Sequence, residues 1–144
     1  MNYMQIEKSK SGLLLMELIV ATLVLAVTSI ICIRIFLSAK MLSNKSTVLT
    51  NAVIETRNTA ELITGAGGKL DKVCKFYSVE ENNGSVEICF NKEFNLCKKD
   101  EGIYLIKINS EYDKNFVVSD IIYSEAKNKT EIYSLNLKTY KGDE

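Results

Sequence analysis

The sequence contains no histidine, no proline and no tryptophan among its 144 residues, and its formal net charge at pH 7 is zero. Without histidine it lacks the side chain that most often serves as a general base or a metal ligand. It has no excess of basic residues to indicate a nucleic-acid partner. Residues Gly65 to Gly68 lack the G-x-G-x-x-G spacing of a phosphate-binding loop. We therefore expect no enzymatic activity, no metal and no cofactor.

What the chain does have is a long apolar run from Leu13 to Leu37, interrupted by Glu17, Arg34 and a few small hydroxyl residues. A helix needs roughly 20 apolar residues to cross a bilayer, and this run exceeds that length. At about 1.5 Å per residue, Leu13 to Arg34 covers on the order of 30 Å, the thickness of the hydrocarbon core. Because backbone in lipid must satisfy its own hydrogen bonds, the run is predicted to be a membrane-spanning helix.

Glu17 is the unusual residue of this run. A carboxylate without a partner in lipid costs roughly 2.5–3.5 kcal/mol on insertion scales. One interpretation is that Glu17 reaches the cytoplasmic headgroups and has no further role. The other is that it meets a positive charge. Cleavage after Gly12 would create an amino group on Leu13, one turn before Glu17, and a neighbouring subunit could present that same amine.

These residues together resemble the N-terminal signal of type IV prepilins and pseudopilins. Lys8 and Lys10 lie in a basic leader, Gly12 directly precedes the apolar helix, and Glu17 is the fifth residue after the glycine. The resemblance covers roughly residues 8–64 and not the C-terminal half. It implies a pilin-like fold and a role as a structural subunit of a filament.

The resemblance also implies roles for individual residues. A prepilin peptidase would cut after Gly12, the new N-terminal residue Leu13 would be N-methylated, and Glu17 would register each subunit against its neighbours. Pilins usually begin with phenylalanine after the cut, whereas this chain has Leu13. Major pilins often carry a proline near the outer end of the helix, where this chain has Arg34. These departures favour a minor pilin or pseudopilin of a type IV pilus or type II secretion-like filament.

The expected partners are the prepilin peptidase, other pilin or pseudopilin subunits and the cytoplasmic membrane. Basic residues flank both ends of the apolar run, so the positive-inside rule does not set its orientation. The resemblance places the C-terminal domain outside the membrane, and later in an extracellular filament. The alternative function is a single-pass, membrane-anchored extracellular binding module that does not polymerise. An anchor of that kind needs neither Gly12 nor Glu17.

Beyond the apolar run, the helix is predicted to continue to Thr64. Apolar residues recur at helical spacing and predict one packed stripe: Leu42, Leu49, Val53, Ala60 and Ile63. Glycines from Gly65 onward end the helix. The predicted organisation is therefore a cleaved leader over 1–12, a membrane or filament-core half-helix over 13–37, an amphipathic half-helix over 38–64 and a sheet domain over 65–144.

The last part of the chain alternates between apolar and polar residues, which predicts antiparallel strands. The predicted strands are Val73–Val79, Ser85–Asn91, Ile103–Asn109, Phe116–Tyr123 and Ile132–Tyr140. Asn83-Gly84 predicts a two-residue hairpin turn between the first two strands, because both positions tolerate positive φ. The expected fold class is α+β, with a long N-terminal helix packed against a small antiparallel sheet.

The sequence has four cysteines, one in the apolar run and three in the predicted sheet domain: Cys32, Cys74, Cys89 and Cys97. In an exported domain one pair is a candidate disulfide, with one thiol left over. If Asn83-Gly84 forms the two-residue turn, Cys89 falls opposite Ser78, which disfavours a bond between Cys74 and Cys89. The remaining pairings join Cys97 to Cys74 or to Cys89, against the alternative of free thiols. Three cysteines without histidine or a paired spacing do not predict a zinc site.

Overall fold

The computed structural model describes residues 3–141, with side chains from Gly12 onward. Residues 1 and 2 of the predicted leader lie outside the described residues. The chain divides into two units, Met1–Lys45 and Ser46–Glu144. The elements follow in this order: α1 (Tyr3–Gly65), α2 (Asp71–Tyr77), β1 (Ser85–Phe90), a 3₁₀ turn (Lys99–Glu101), β2 (Tyr104–Tyr112), β3 (Phe116–Glu125) and β4 (Glu131–Tyr140). The long N-terminal helix packs against a four-stranded antiparallel sheet, so the α+β expectation is confirmed.

The sheet of the second unit is a meander, in which the strand order is β1-β2-β3-β4. Large apolar side chains of neighbouring strands stand opposite each other in rows across one face. One row joins Val86, Ile108, Ile121 and Leu135, and the next joins Ile88, Ile106, Tyr123 and Tyr133. These rows, packed against α1 and α2, form the buried core.

α1 ends in a glycine-rich stop, as the sequence predicts. The N–H of Gly68 donates to the C=O of Ile63 at 2.9 Å, and the N–H of Gly67 donates to the C=O of Thr64 at 3.0 Å. This pair of bonds is the Schellman motif, which satisfies carbonyls at the end of a helix. Gly67 and Gly68 have φ values of 62° and 85°, which residues with a Cβ rarely adopt.

The face that α1 packs on the sheet differs from the predicted stripe. Ala60 and Ile63 are buried, but Leu42 and Leu49 are exposed. The buried face of the helix consists instead of mostly small residues: Ala52, Thr56, Thr59, Ala60 and Ile63. The sheet supplies the large side chains, and a helix face of alanine and threonine leaves room for them.

The predicted strand Val73–Val79 is wrong, because these residues belong largely to α2. Leu70, Val73 and Tyr77 are buried and are spaced by three and four residues, which places them on one face of a helix. Val73 and Tyr77 also fit a period of two, since a spacing of four suits both patterns. α2 ends at Tyr77 and is capped by Ser78, whose φ of 53° is left-handed.

The two-residue turn at Asn83-Gly84 is present although the strand before it is not. Asn82 and Ser85 exchange both backbone hydrogen bonds, at 2.9 and 3.0 Å. Asn83 and Gly84 have φ values of 50° and 73°, as a primed hairpin turn requires. The turn therefore starts β1 rather than joining two long strands.

Thr56→Val is expected to raise the free energy of unfolding by about 1 kcal/mol. Thr56 Oγ1 is buried, and nothing in the described part of the chain forms a hydrogen bond with it. Valine removes this hydroxyl with little change of shape. The matched control is Thr59→Val, because Thr59 Oγ1 donates to the C=O of Glu55 at 2.8 Å.

We expect the control to lose stability by a similar amount. Chemical denaturation of the full chain in detergent, followed by tyrosine fluorescence, measures both variants. A destabilised Thr56→Val variant would show that the hydroxyl is satisfied in solution.

Candidate functional site

Glu17 lies on an exposed apolar face of α1. Residues spaced by three and four along the helix form a shallow concave surface around it: Leu13, Met16, Glu17, Val20 and Ala21. Leu13 and Met16 are each about two-thirds exposed in the single chain, at 66% and 67%. The face therefore offers apolar contact area with one carboxylate in it.

The hydroxyl groups in the apolar run form hydrogen bonds to backbone carbonyls of the same helix. Thr22 Oγ1 donates to the C=O of Ile19 at 2.9 Å, and Ser29 Oγ donates to the C=O of Leu25 at 2.8 Å. Thr28 Oγ1 likewise donates to backbone carbonyls of the preceding turn. Such bonds let hydroxyl residues enter an apolar environment at little cost.

Glu17 has no such partner. Among residues 12–141, no side chain donates a hydrogen bond to it or forms an ion pair with it. Moving the Glu17 carboxylate into an apolar environment therefore has a free-energy cost that no group of the described chain offsets. A positive group from outside the described chain would remove that cost.

Gly12 lies in open space among the residues whose side chains the structure describes. A Cβ built on Gly12 would meet no atom within 4 Å, and its φ lies outside the left-handed region. Nothing in the described chain therefore requires glycine at this position. A need for glycine here would have to come from a molecule that acts on the chain.

By length and composition, α1 could cross a membrane and so anchor the protein. Comparison with family models, with curated proteins and with solved structures found no match. The function of the protein therefore has to be inferred from its own residues.

The three cysteines of the second unit are unbonded, but two of them lie together. The N–H of Cys97 donates to the C=O of Cys89 at 3.0 Å. The sequence argument that set Cys89 opposite Ser78 is wrong, because Ser78 caps α2 and does not pair with β1. Cys74 lies in α2 and packs against the core. No group of three metal-ligating side chains lies together within residues 12–141.

A polar contact that the sequence did not predict joins α1 to α2. Tyr77 OH donates to Glu55 Oε2 at 3.1 Å. Burial raises the pKa of Tyr77 to about 12, with the nearby Glu55 carboxylate adding to the shift. The hydroxyl is therefore protonated throughout the physiological range and donates to the carboxylate. This hydrogen bond holds α2 against α1. In the sequence, the helical spacing of Val73 and Tyr77 is the signal that could have indicated the contact.

Proposed function

We propose that this protein is a minor pilin or pseudopilin, a structural subunit of a type IV pilus or type II secretion-like filament. The observation that carries the proposal is Glu17, a carboxylate without a partner on an exposed apolar helix face. A plain anchor has no use for such a group, whereas a bundle of identical helices can supply its partner.

The proposed pairing is between Glu17 and the N-terminal amine of Leu13 on a neighbouring subunit. Cleavage after Gly12 creates that amine at the start of the same apolar face. In the low dielectric of a helix bundle, two opposite charges attract strongly, and each offsets the desolvation of the other. Because both charges lie at fixed positions on the helix, their contact sets the axial offset between subunits.

The rest of the chain is consistent with this role. The apolar half of α1 would first hold the protein in the cytoplasmic membrane and later pack in the filament core. The second unit, with its own buried core, would lie outside the membrane. We infer no enzymatic activity and no cofactor.

The test is N-terminal and intact-mass analysis of the protein from its native membrane, with and without an active prepilin peptidase. We expect a peptidase-dependent start at Leu13 with an added methyl group. Gly12→Val should abolish the cut, because the peptidase must accept the residue before the scissile bond. Gly65→Val is the matched control, since a Cβ at either glycine meets no atom within 4 Å.

The control should be cut as efficiently as the unchanged protein. An uncut chain that begins at Met1 in the presence of the peptidase would overturn the proposal. The membrane-anchored binding module would then be the better account.

A further inference from the structure

The outer edge of β1 pairs with a short segment that follows it in the chain. Phe90 and Leu96 form an antiparallel bridge. On one side of this bridge, the N–H of Asn91 donates to the C=O of Asn95 at 2.9 Å. On the other side, the N–H of Cys97 donates to the C=O of Cys89 at 3.0 Å. Cys89 and Cys97 are therefore directly opposite each other across an antiparallel pair.

This register suits a disulfide. Opposite residues in a hydrogen-bonded antiparallel pair have Cα atoms about 5.5 Å apart and carry their side chains on the same face. Disulfides are found at Cα separations of about 4.4–6.8 Å. The register thus places the two cysteines opposite each other at a separation that a disulfide can bridge.

The surroundings hold the two cysteines in place. Cys89 is 9% exposed, and a Cβ at Gly102 would lie 3.1 Å from its Cβ and 3.6 Å from its Sγ, so the loop at Gly102 covers it. Lys99 Nζ donates to Glu87 Oε2 at 2.7 Å and ties the same loop to β1. Burial raises the pKa of both thiols, and Glu101 adds to the shift at Cys97.

Cys74 is less suited as a partner for either residue. It packs against the core cluster, on the side of the sheet that carries Ile88 and Phe90. Cys89 alternates with these residues along β1 and so points to the opposite face. The structure therefore distinguishes between the pairings that the sequence leaves open.

We propose that Cys89 and Cys97 form a disulfide in the mature protein and that Cys74 stays a free thiol. The bond would fasten the segment 91–97 to the edge of β1, next to a bridge that is only one residue pair long. The inference depends on the proposed function in one respect: the second unit has to reach an oxidising compartment.

The oxidant is a donor disulfide, either that of an extracytoplasmic thiol oxidase or glutathione disulfide. The more exposed Cys97 thiol loses its proton and its thiolate attacks the donor, which releases one donor thiolate. The Cys89 thiolate then attacks the Cys97 sulfur, the intramolecular S–S bond forms, and the second donor thiolate leaves. Two electrons pass from the cysteine pair to the donor disulfide, which becomes two thiols.

Tryptic mapping without reduction, on full-length protein alkylated during isolation from its native membrane, tests the proposal. Trypsin places the three cysteines on separate peptides: 73–75, 76–92 and 93–98. We expect peptide 76–92 joined to 93–98, and peptide 73–75 alkylated. Cys97→Ser should abolish the link, and Cys74→Ser, the matched control, should keep it. Alkylated Cys89 and Cys97, or a link to peptide 73–75, would overturn the proposal.

A second experiment distinguishes a wrong cysteine pairing from a domain that does not reach an oxidising compartment. The reduced full chain in detergent is oxidised with glutathione disulfide and mapped in the same way. If the Cys89–Cys97 link forms here but is absent from the native sample, the proposal fails because the domain does not reach an oxidising compartment. If it is absent in both, the pairing itself is wrong, whatever the outcome for cleavage at Gly12.

The melting temperature of the oxidised chain supplies an independent measurement. Removing the link by Cys97→Ser should lower it by roughly 10–20 °C, as expected for a bond that closes a short loop in a small domain. The unchanged protein should melt at a lower temperature after reduction. Cys74→Ser should keep this difference between oxidised and reduced protein, whereas Cys97→Ser should abolish it. A reduced and an oxidised chain that melt at the same temperature would contradict a stabilising bond.

Discussion

Replacing Glu17 with alanine is expected to leave the protein in the membrane and to remove most of it from filaments. Alanine makes the apolar run more favourable in lipid, because a carboxylate there costs roughly 2.5–3.5 kcal/mol. In the assembly, however, the change leaves the neighbour's Leu13 amine without its partner. Breaking a buried charge pair costs about 3–5 kcal/mol, and a factor of ten corresponds to about 1.4 kcal/mol, so incorporation should fall by about a hundredfold or more.

The measurement is the ratio of this protein in sheared filaments to that in membranes, by quantitative immunoblot. Glu17→Gln tests the charge apart from the shape and should behave like the alanine variant. Met16→Ala is the matched control, since Met16 lies on the same concave surface and carries no charge. It should be incorporated at nearly the normal level. Normal incorporation of both Glu17 variants would rule out a pairing role for this residue.

Gly68→Ala is expected to lower the free energy of unfolding of the second unit by about 2–4 kcal/mol. A Cβ at Gly68 would lie 2.6 Å from Val117 Cγ2 and 2.7 Å from Val117 Cβ. Val117 is buried in β3, so it has little room to move. The φ of 85° adds backbone strain, because only glycine adopts it readily.

Gly65→Ala is the control for this prediction. A Cβ at Gly65 meets no atom within 4 Å, and the residue lies inside the last turn of α1. It should be neutral or slightly stabilising, since alanine favours helix by about 1 kcal/mol over glycine. Chemical denaturation of the full chain in detergent compares the two.

The double variant Gly68→Ala, Val117→Gly separates the two costs of the Gly68 change. It should lose less stability than the sum of its single changes, because glycine at 117 has neither the Cβ nor the Cγ atoms that the new Cβ would meet, so only the backbone strain remains. Equal losses for Gly65→Ala and Gly68→Ala would show that the close approach to Val117 does not exist in solution.

The sequence carried enough information for the fold class because its strongest signals are local. The apolar run, the glycine stop at the end of α1 and the alternation of β2 to β4 each depend on neighbouring residues. The Asn83-Gly84 turn also formed as expected, because positive φ at two successive positions is a local requirement. Local preferences of this kind survive whatever the chain packs against.

Two of the sequence predictions differ from the structure because tertiary packing decided the outcome. Val73 and Tyr77 are four residues apart, which fits one face of a strand as well as one face of a helix, and packing on the core decided for the helix. The predicted stripe on α1 includes Leu42 and Leu49, which are exposed, whereas the helix face that packs on the sheet also contains small residues such as Ala52 and Thr56. A single sequence does not show which of two packed surfaces carries the large side chains and which carries the small ones.

The candidate site could also be predicted from the sequence, but for a different reason. Gly12, Leu13 and Glu17 lie within two helical turns, so their spacing alone fixes their arrangement on α1. The neighbourhood of Cys89 and Cys97 was not predictable in the same way. It depends on the chain reversing over Asn91 to Asn95, where the Asn91 side chain accepts the N–H groups of Glu93 and Asn95 at 3.0 and 2.9 Å.

The order of the strands bears on how the second unit acquires its structure. Each strand pairs with the one made just before it, so sheet formation needs only contacts between segments close in the chain. Topologies of this kind fold faster than those that depend on distant pairings. The sheet can therefore form one hairpin at a time. The small-residue face of α1 can then pack against a sheet that has already formed.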